Sequence, residues 1–289
     1  MGDSVGSAQK SRLRMITYLS PSVPIELFEV LRDYLEEKLD VEASIIYESR
    51  WSGPPAERDP DPFQRDEVDM GFMCASGFLR LINEGRESVE LCPAGAVHQH
   101  PNNNNNRPIY FSDVIIHSDN SSKYKDFHDL KGHRWAINDE ISLSGNLMAL
   151  AELRKMGFNA SFFGNILRSG SNINSLQMVL EKKVDAASVD STCLHSLMKK
   201  DPSLKKSICV ITSLGPMPIH PTVFNTRLSD DLKTRITSAM LTMHEFPKWK
   251  ERLGEFNLRG FVPTDMSLYQ LETSLREVVK SLSVNTAYY

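Results

Sequence analysis

The possible folds of this chain are limited above all by a regular alternation of short strands and helices between residues 129 and 190. Strands are predicted over 134–138 and 184–190, and two segments with helical periodicity lie between them. Strand and helix also alternate through much of the remaining chain. Such alternation is typical of an α/β protein with largely parallel sheets, and we expect that class here.

Both helices of this segment begin in loops rich in serine and asparagine. The first backbone N–H groups of a helix have no intrahelical acceptor, and the helix dipole adds positive partial charge there. Anions bind readily at such ends, although a serine before a helix is also an ordinary N-cap. We therefore expect a small-molecule site. Its candidate residues are Ser142, Ser144, Gly145, Asn146 and Ser171.

Composition and charge narrow the classes of partner. The 289 residues are 40% hydrophobic and 24% charged, with a net charge of −4, which fits one large or two medium globular domains. There is no long Lys/Arg block, so neither a nucleic acid nor a polybasic membrane contact is expected. No apolar run reaches the roughly 20 residues of a membrane span. The polar N-terminus has no apolar signal segment, so the chain as given is expected to be cytoplasmic.

Sequence motifs of common enzyme and metal sites are missing. The cysteines form no CxxC pattern and are expected to be reduced thiols, with a single disulfide as the alternative. They are Cys74, Cys92, Cys193 and Cys209. There is no dinucleotide or Walker phosphate loop and no Gly-x-Ser-x-Gly elbow. His98 and His100 could face one side of a strand, but no third potential ligand lies at a sequence spacing typical of a metal site. We expect no metal and no cofactor.

Several short motifs occur together in an ordered series. They are 34–36 (Tyr-Leu-Glu), 68–72 (Val-Asp-Met-Gly-Phe), 110–112 (Tyr-Phe-Ser), 129–132 (Asp-Leu-Lys-Gly), 142–145 (Ser-Leu-Ser-Gly), 184–186 (Val-Asp-Ala), 216–221 (Pro-Met-Pro-Ile-His-Pro) and 260–263 (Gly-Phe-Val-Pro). Over about residues 14–272 the chain resembles the phosphonate- and phosphate-binding receptors of ABC transporters, within the type 2 periplasmic-binding-protein fold.

The resemblance implies a two-lobe α/β architecture with two crossover hinge strands, near Ser112 and near Thr222. Residues 13–112 and 219–289 would form a discontinuous first lobe, and residues 113–218 an inserted second lobe. A small anionic ligand would bind in the cleft between the lobes, which would close by a hinge motion.

The resemblance also implies contacts within that cleft. The loop from Ser142 to Gly145 matches the family's Ser-Thr-Ser-Gly anion loop, except that Leu143 replaces the threonine. Tyr110 matches an aromatic residue on the first crossover strand. Tyr47 and Trp51 lie where family members place an aromatic wall, although each could instead cover the core.

Three further positions bear on the ligand. Asp190 matches a carboxylate that contacts the ligand's amino group, with a helix N-cap as the alternative. Asn172 and Ile173 replace a His-Glu pair of amine-recognising relatives, so both a ligand with an amino group and one without it stay open. Cys74 would line the opposite wall.

Two functions from different classes therefore remain. The first is a solute-binding protein that captures a phosphonate- or phosphate-like metabolite. The alternative is an enzyme on the same scaffold, acting on a small phosphorylated or heterocyclic metabolite, in which Cys74 would need a base and a depressed pKa. A purely structural or interaction role is a third option. We expect a monomer whose transporter or signalling partner is unknown.

Overall fold

The computed structural model describes residues 10–56 and 60–280. Two five-stranded sheets with helices packed on them form two lobes. The strands are β1 (Arg12–Thr17), β2 (Glu42–Tyr47), β3 (Met70–Phe72), β4 (Val89–Leu91), β5 (Ala94–His98), β6 (Ile109–His117), β7 (Arg134–Ile137), β8 (Asn165–Arg168), β9 (Ala186–Asp190), β10 (Ile208–Pro218), β11 (Thr222–Asn225) and β12 (Leu258–Pro263). The helices are α1 (Ile25–Leu39), α2 (Ala75–Asn83), α3 (Met148–Lys155), α4 (Asn172–Leu180), α5 (Ser191–Lys200), α6 (Leu204–Ser207), α7 (Asp230–Thr242), α8 (Pro247–Gly254) and α9 (Gln270–Val279).

The first sheet has the strand order β2-β1-β3-β11-β4. β1 pairs in parallel with β2 and β3, whereas β11 is antiparallel to both β3 and β4. The apolar stripe of α1 packs on this lobe's core. Within it, Tyr34 meets Trp249 edge-on at 5.2 Å between ring centroids, and its hydroxyl donates to the Ala239 carbonyl at 2.7 Å. Helices from both ends of the chain are thereby held together.

The second sheet has the order β10-β6-β9-β7-β8. β7 is parallel to β8 and β9, while β6 runs antiparallel to β9 and β10. An aromatic cluster fills its core, with Trp135 stacked on Phe163 at 4.5 Å. The β6–β9 register places Ser112 opposite Asp190. The fourth residue of β6 and the last residue of β9 therefore lie side by side.

The predicted two-lobe α/β architecture is confirmed. The expectation of largely parallel sheets is wrong, because each five-stranded sheet has two parallel and two antiparallel strand pairings. The first sheet takes strands from residues 12–91 and 222–225, and the second from residues 109–218. The chain passes between the sheets through residues 91–109, which include β5, and through residues 218–222. β5 pairs with β12 in a separate two-stranded sheet. The lobe limits at 112/113 and 218/219 stay a prediction.

Helix α9 joins the two lobes at the C-terminal end of the described chain. It packs against α3 and β10, and Val279 belongs to the second lobe's core. Arg154 of α3 donates to the Val278 carbonyl at 2.7 Å. A segment that follows the last strand of the chain is thereby anchored on the inserted lobe.

Three local features of the fold go beyond the strand–helix alternation. β10 ends at Pro218 and β11 begins only at Thr222, so a short connection separates the two strands. Helix α7 ends at Thr242, and α8 begins at Pro247, where proline suits the first turn. β5 was not predicted, because its small residues carry little β-strand signal. None of the helices in the described ranges is both long and apolar enough to span a membrane.

Candidate functional site

A cavity of about 280 Å³ lies between the two lobes. Its lining comes from three parts of the chain. The first lobe supplies residues 18–23, 49–52 and 74–76, the second supplies Tyr110, 138–139, 141–144, 170–172 and Asp190, and the remaining contacts are His220 and Glu272. His220 lies on the connection between β10 and β11, and Glu272 lies on α9. Both lobes, the connection between β10 and β11, and helix α9 therefore reach this cavity.

The cavity brings together seven of the ten predicted site residues. They are Trp51, Cys74, Tyr110, Ser142, Ser144, Ser171 and Asp190. Tyr47 lies outside it, on the exposed edge strand β2, with its hydroxyl 3.4 Å from Glu29. Gly145 and Asn146 lie behind the lining, and the Asn146 amide donates to the Glu140 carbonyl at 2.9 Å.

Ser142, Ser144 and Ser171 form the serine cluster of the cavity. The Ser142 hydroxyl accepts the Gly145 N–H at 3.1 Å, at the start of a π-helical turn, Leu143–Leu147, that continues into α3. The Ser171 hydroxyl likewise accepts the Asn174 N–H at 3.1 Å and caps α4. Two helices thus begin at one cavity, and the unpaired N–H groups of a helix start suit an anion.

Asn138, at the end of β7, connects the two helix starts. Its side-chain amide donates to Asn172 Oδ1 at 2.8 Å and lies 3.4 Å from the Ser142 hydroxyl. Its carbonyl oxygen accepts from Ser175 at 3.0 Å. A Cβ on Gly145 would lie 2.4 Å from Asn138 Cγ, which explains why a glycine stands there.

Asp190, His220 and Glu272 form the carboxylate cluster. Asp190 Oδ1 accepts from the Thr192 N–H and hydroxyl, both at 2.7 Å, and so caps α5. Its Oδ2 lies 3.1 Å from His220 Nε2. Burial acts to raise the pKa of Asp190, but the His220 contact and the Thr192 hydrogen bonds hold it below the ordinary value. Asp190 Oδ1 therefore has the N-cap role, which was the alternative expected for this residue from the sequence.

Glu272 is completely buried. Its Oε1 accepts from both Arg276 Nε and Nη2, at 2.9 and 2.7 Å. Its Oε2 has no hydrogen-bond partner among the described residues, and neither does His220 Nδ1. Burial raises the pKa of Glu272, against the opposing effect of Arg276. An acidic group with a free oxygen therefore lines the cavity.

Tyr110 and Cys74 occupy the space beside the carboxylate cluster. The Tyr110 ring lies 4.8 Å from the His220 ring, and burial together with the charges of Asp190 and Glu272 raises its pKa. Cys74 caps α2 by accepting the Gly77 N–H at 3.3 Å. Burial raises the pKa of the Cys74 thiol, which disfavours the thiolate that a nucleophile requires.

The histidines considered as metal ligands have other surroundings. His100 Nε2 lies 3.2 Å from Asp113 Oδ1, and burial lowers the pKa of His98 to about 4. Within residues 10–56 and 60–280, no three His, Cys, Asp or Glu side chains are grouped to hold a metal ion. All four cysteines are free thiols.

Several lining residues were missed in the sequence, namely Asn138, His220 and Glu272. Asn138 follows a strand directly, so its place at the carboxyl end of a sheet was a usable signal. His220 lies within the 216–221 motif but was not singled out there as a site residue, and Glu272 lies on a helix far along the chain. Only the three-dimensional fold brings these two to Asp190.

Comparison with known proteins identifies the family. The model of a family described as the periplasmic substrate-binding protein of phosphonate ABC transporters matches residues 13–269. Among curated proteins there is no match. Two similar solved structures are a binding component of a phosphonate ABC transporter from Pseudomonas aeruginosa and PhnD1 of Prochlorococcus marinus in complex with methylphosphonate.

The similarity to these structures is one of fold. The Pseudomonas protein is 19% identical, with a TM-score of 0.70 over 96% of this chain and 91% of that chain. PhnD1 is 16% identical, with a TM-score of 0.69 over 94% and 98%. The aliphatic sulphonate-binding protein SsuA of Escherichia coli is 12% identical, with a TM-score of 0.61 over 94% and 87%. The two lobes are those of a type 2 periplasmic-binding protein, and the chain belongs to the phosphonate-binding family of ABC-transporter substrate-binding proteins.

Proposed function

We propose that this chain captures a small phosphorus oxyanion, a phosphonate or a phosphate, in the cavity between its lobes. One observation carries this function: two helices begin at the same cavity, each behind an N-cap serine, and Asn138 joins the two starts. Their free backbone N–H groups would meet the oxyanion, with the hydroxyl of Ser144 as a further donor.

Membership of the family supports this ligand class. The similar Prochlorococcus protein is in complex with methylphosphonate, and SsuA is a binding protein for aliphatic sulphonates. Both ligand classes are small tetrahedral oxyanions. We further propose that the chain acts as a monomer and that a transporter or signalling protein responds when the lobes close on the ligand.

Isothermal calorimetry with methylphosphonate, phosphate and acetate tests the ligand class. Methylphosphonate or phosphate should bind, and acetate should bind far more weakly because it lacks the third oxygen. In a thermal melt, a ligand at 100 times its Kd adds about 2.7 kcal/mol of stability. If none of the phosphorus oxyanions binds, the function proposed here is wrong.

A serine variant tests the place of binding. Ser144→Ala should weaken binding of the oxyanion by about 1–3 kcal/mol, which is the cost of leaving a buried polar group without its hydrogen-bond partner. Ser203→Ala is the matched control, because Ser203 is exposed and hydrogen-bonds only locally to Asp201. Equal affinities of the two variants would remove Ser144 from the binding site.

A further inference from the structure

Residues 264–279, which we call the C-terminal strap, contact both lobes. The strap follows β12, whose Phe261 is buried in the core of the first lobe. It ends at Val279, which is buried in the core of the second lobe. The chain therefore links the lobes a third time, after the connections at 91–109 and 218–222. The family resemblance implies only two such links.

The passage from one lobe to the other occurs in a 3₁₀ turn, Met266–Tyr269, that precedes α9. Tyr269 is 1% exposed and meets the ring of Phe78 edge-on, at 5.7 Å between centroids. Phe78 belongs to α2 and to the core of the first lobe. The neighbouring Leu268 packs instead on the core of the second lobe. Two adjacent side chains thus hold opposite lobes.

The attachment of the strap to the second lobe is extensive. Helix α9 packs against α3 and β10, and Arg154 of α3 donates to the Val278 carbonyl at 2.7 Å. Arg276 Nη2 lies 3.4 Å from the carbonyl oxygen of Ile141, the residue directly before Ser142. Helix α9 is therefore fixed to the lobe that carries the serine cluster, and it should move with that lobe.

The attachment to the first lobe is weaker, because it depends on the ring of Tyr269. The Tyr269 hydroxyl is buried without a hydrogen-bond partner among residues 10–56 and 60–280, which disfavours this position. No side chain caps the start of α9 at Tyr269. The contact between Tyr269 and Phe78 is thus the part of the strap that should break first when the lobes separate.

We propose that the C-terminal strap is a clasp that limits the separation of the lobes: it moves with the second lobe and holds the first through Tyr269. Breaking the clasp opens the cavity and lowers the fraction of molecules in which both lobes line it, and the apparent affinity falls with that fraction. The effect on lobe separation is independent of any ligand. The effect on affinity rests on the function proposed above.

Small-angle X-ray scattering of the ligand-free protein tests the clasp. Tyr269→Ser should increase the radius of gyration, because the lobes can then move further apart. Tyr124→Ser is the matched control, since Tyr124 is also 1% exposed but lies in the core of the second lobe, edge-on to His133 at 4.9 Å. Equal radii of gyration in the two variants, both shown to be folded by a cooperative thermal transition, would overturn the proposal.

Tyr269→Phe gives a milder test that does not endanger folding. It keeps the ring and removes the hydroxyl that has no partner, so its radius of gyration should equal that of the unmodified protein and its thermal midpoint should not fall. If the lobes of Tyr269→Phe separate as far as those of Tyr269→Ser, the ring contact does not form the clasp.

Calorimetry with methylphosphonate tests the consequence for binding. Tyr269→Ser should weaken binding about three- to tenfold, as expected from the loss of one aromatic pair, while Tyr124→Ser stays within about twofold of the unmodified protein. Unchanged affinity in Tyr269→Ser would show that the clasp has no influence on binding. If the unmodified protein binds neither methylphosphonate nor phosphate, the proposed function is wrong, and the scattering result still decides whether the clasp exists.

Discussion

The serine cluster and the carboxylate cluster line the same cavity but are built in different ways. The serine cluster comes from two helix starts that follow neighbouring strands, and Asn138 connects them. The carboxylate cluster combines the end of β9, the connection at His220 and a residue of α9. The first is held by hydrogen bonds between residues close together in the chain, whereas the second joins residues that are far apart in sequence.

The largest expected effect concerns the carboxylate cluster. Asp190→Ala removes a helix cap and leaves His220 without its hydrogen-bond partner, so it should destabilise the fold by about 2–4 kcal/mol. Denaturant unfolding measures this. Asp119→Ala is the control, since the Asp119–Lys182 pair is exposed and its loss should cost less than about 1 kcal/mol. Similar losses in both variants would show that the buried pair has no special structural role.

A comparable change at the serine cluster is Gly145→Ala. The added methyl group would lie 2.4 Å from Asn138 Cγ and displace the side chain that joins the two helix starts. We expect a loss of about 1–3 kcal/mol in unfolding free energy, together with weaker oxyanion binding. Gly254→Ala is the control, because a Cβ there meets no atom within 4 Å. An unchanged affinity in Gly145→Ala would separate Asn138 from ligand binding.

Removal of a single cap should have a smaller effect. Ser171→Ala deletes the hydroxyl that accepts the Asn174 N–H, which should cost about 1 kcal/mol of stability. Thermal or denaturant unfolding against Ser203→Ala checks the value, since Ser203 makes no cap hydrogen bond to α6. A loss no greater than in this control would show that water replaces the cap without cost.

The smallest effect is a difference in pH dependence between the two carboxylates. The pKa of Asp190 is lowered in the folded state, so its stabilising contribution is present above its ordinary value of 3.8 and is lost as the pH falls. The pKa of Glu272 is raised, so the folded state binds more protons and stability declines as the pH rises through and above 4.5. Unfolding free energies at a series of pH values should lose this decline in Glu272→Gln. A decline of unchanged size in that variant would contradict the raised pKa.

Much of the fold could be predicted from sequence because the strand–helix alternation is a local pattern. The helix caps at Ser142 and Ser171 are also local, since the capped N–H groups lie three residues further on. Tyr47 was assigned to the cleft only from the family resemblance, but it lies on strand β2 at the exposed edge of the sheet. The contact of Asp190 with His220 could not be predicted, because the two residues are 30 positions apart along the chain.

The position of β11 has a consequence for the order in which the molecule folds. β11 lies between β3 and β4, yet every strand of the second sheet precedes it in the chain. During synthesis the inserted lobe can therefore complete its sheet while the first sheet still lacks an inner strand. Long-range pairings of this kind form slowly. In pulse-labelled hydrogen exchange we expect the amides of β6, β7 and β9 to become protected before those of β3 and β4. Until β11 arrives, two unpaired strand edges of the first lobe stay open to other chains, which makes this interval the one most exposed to aggregation.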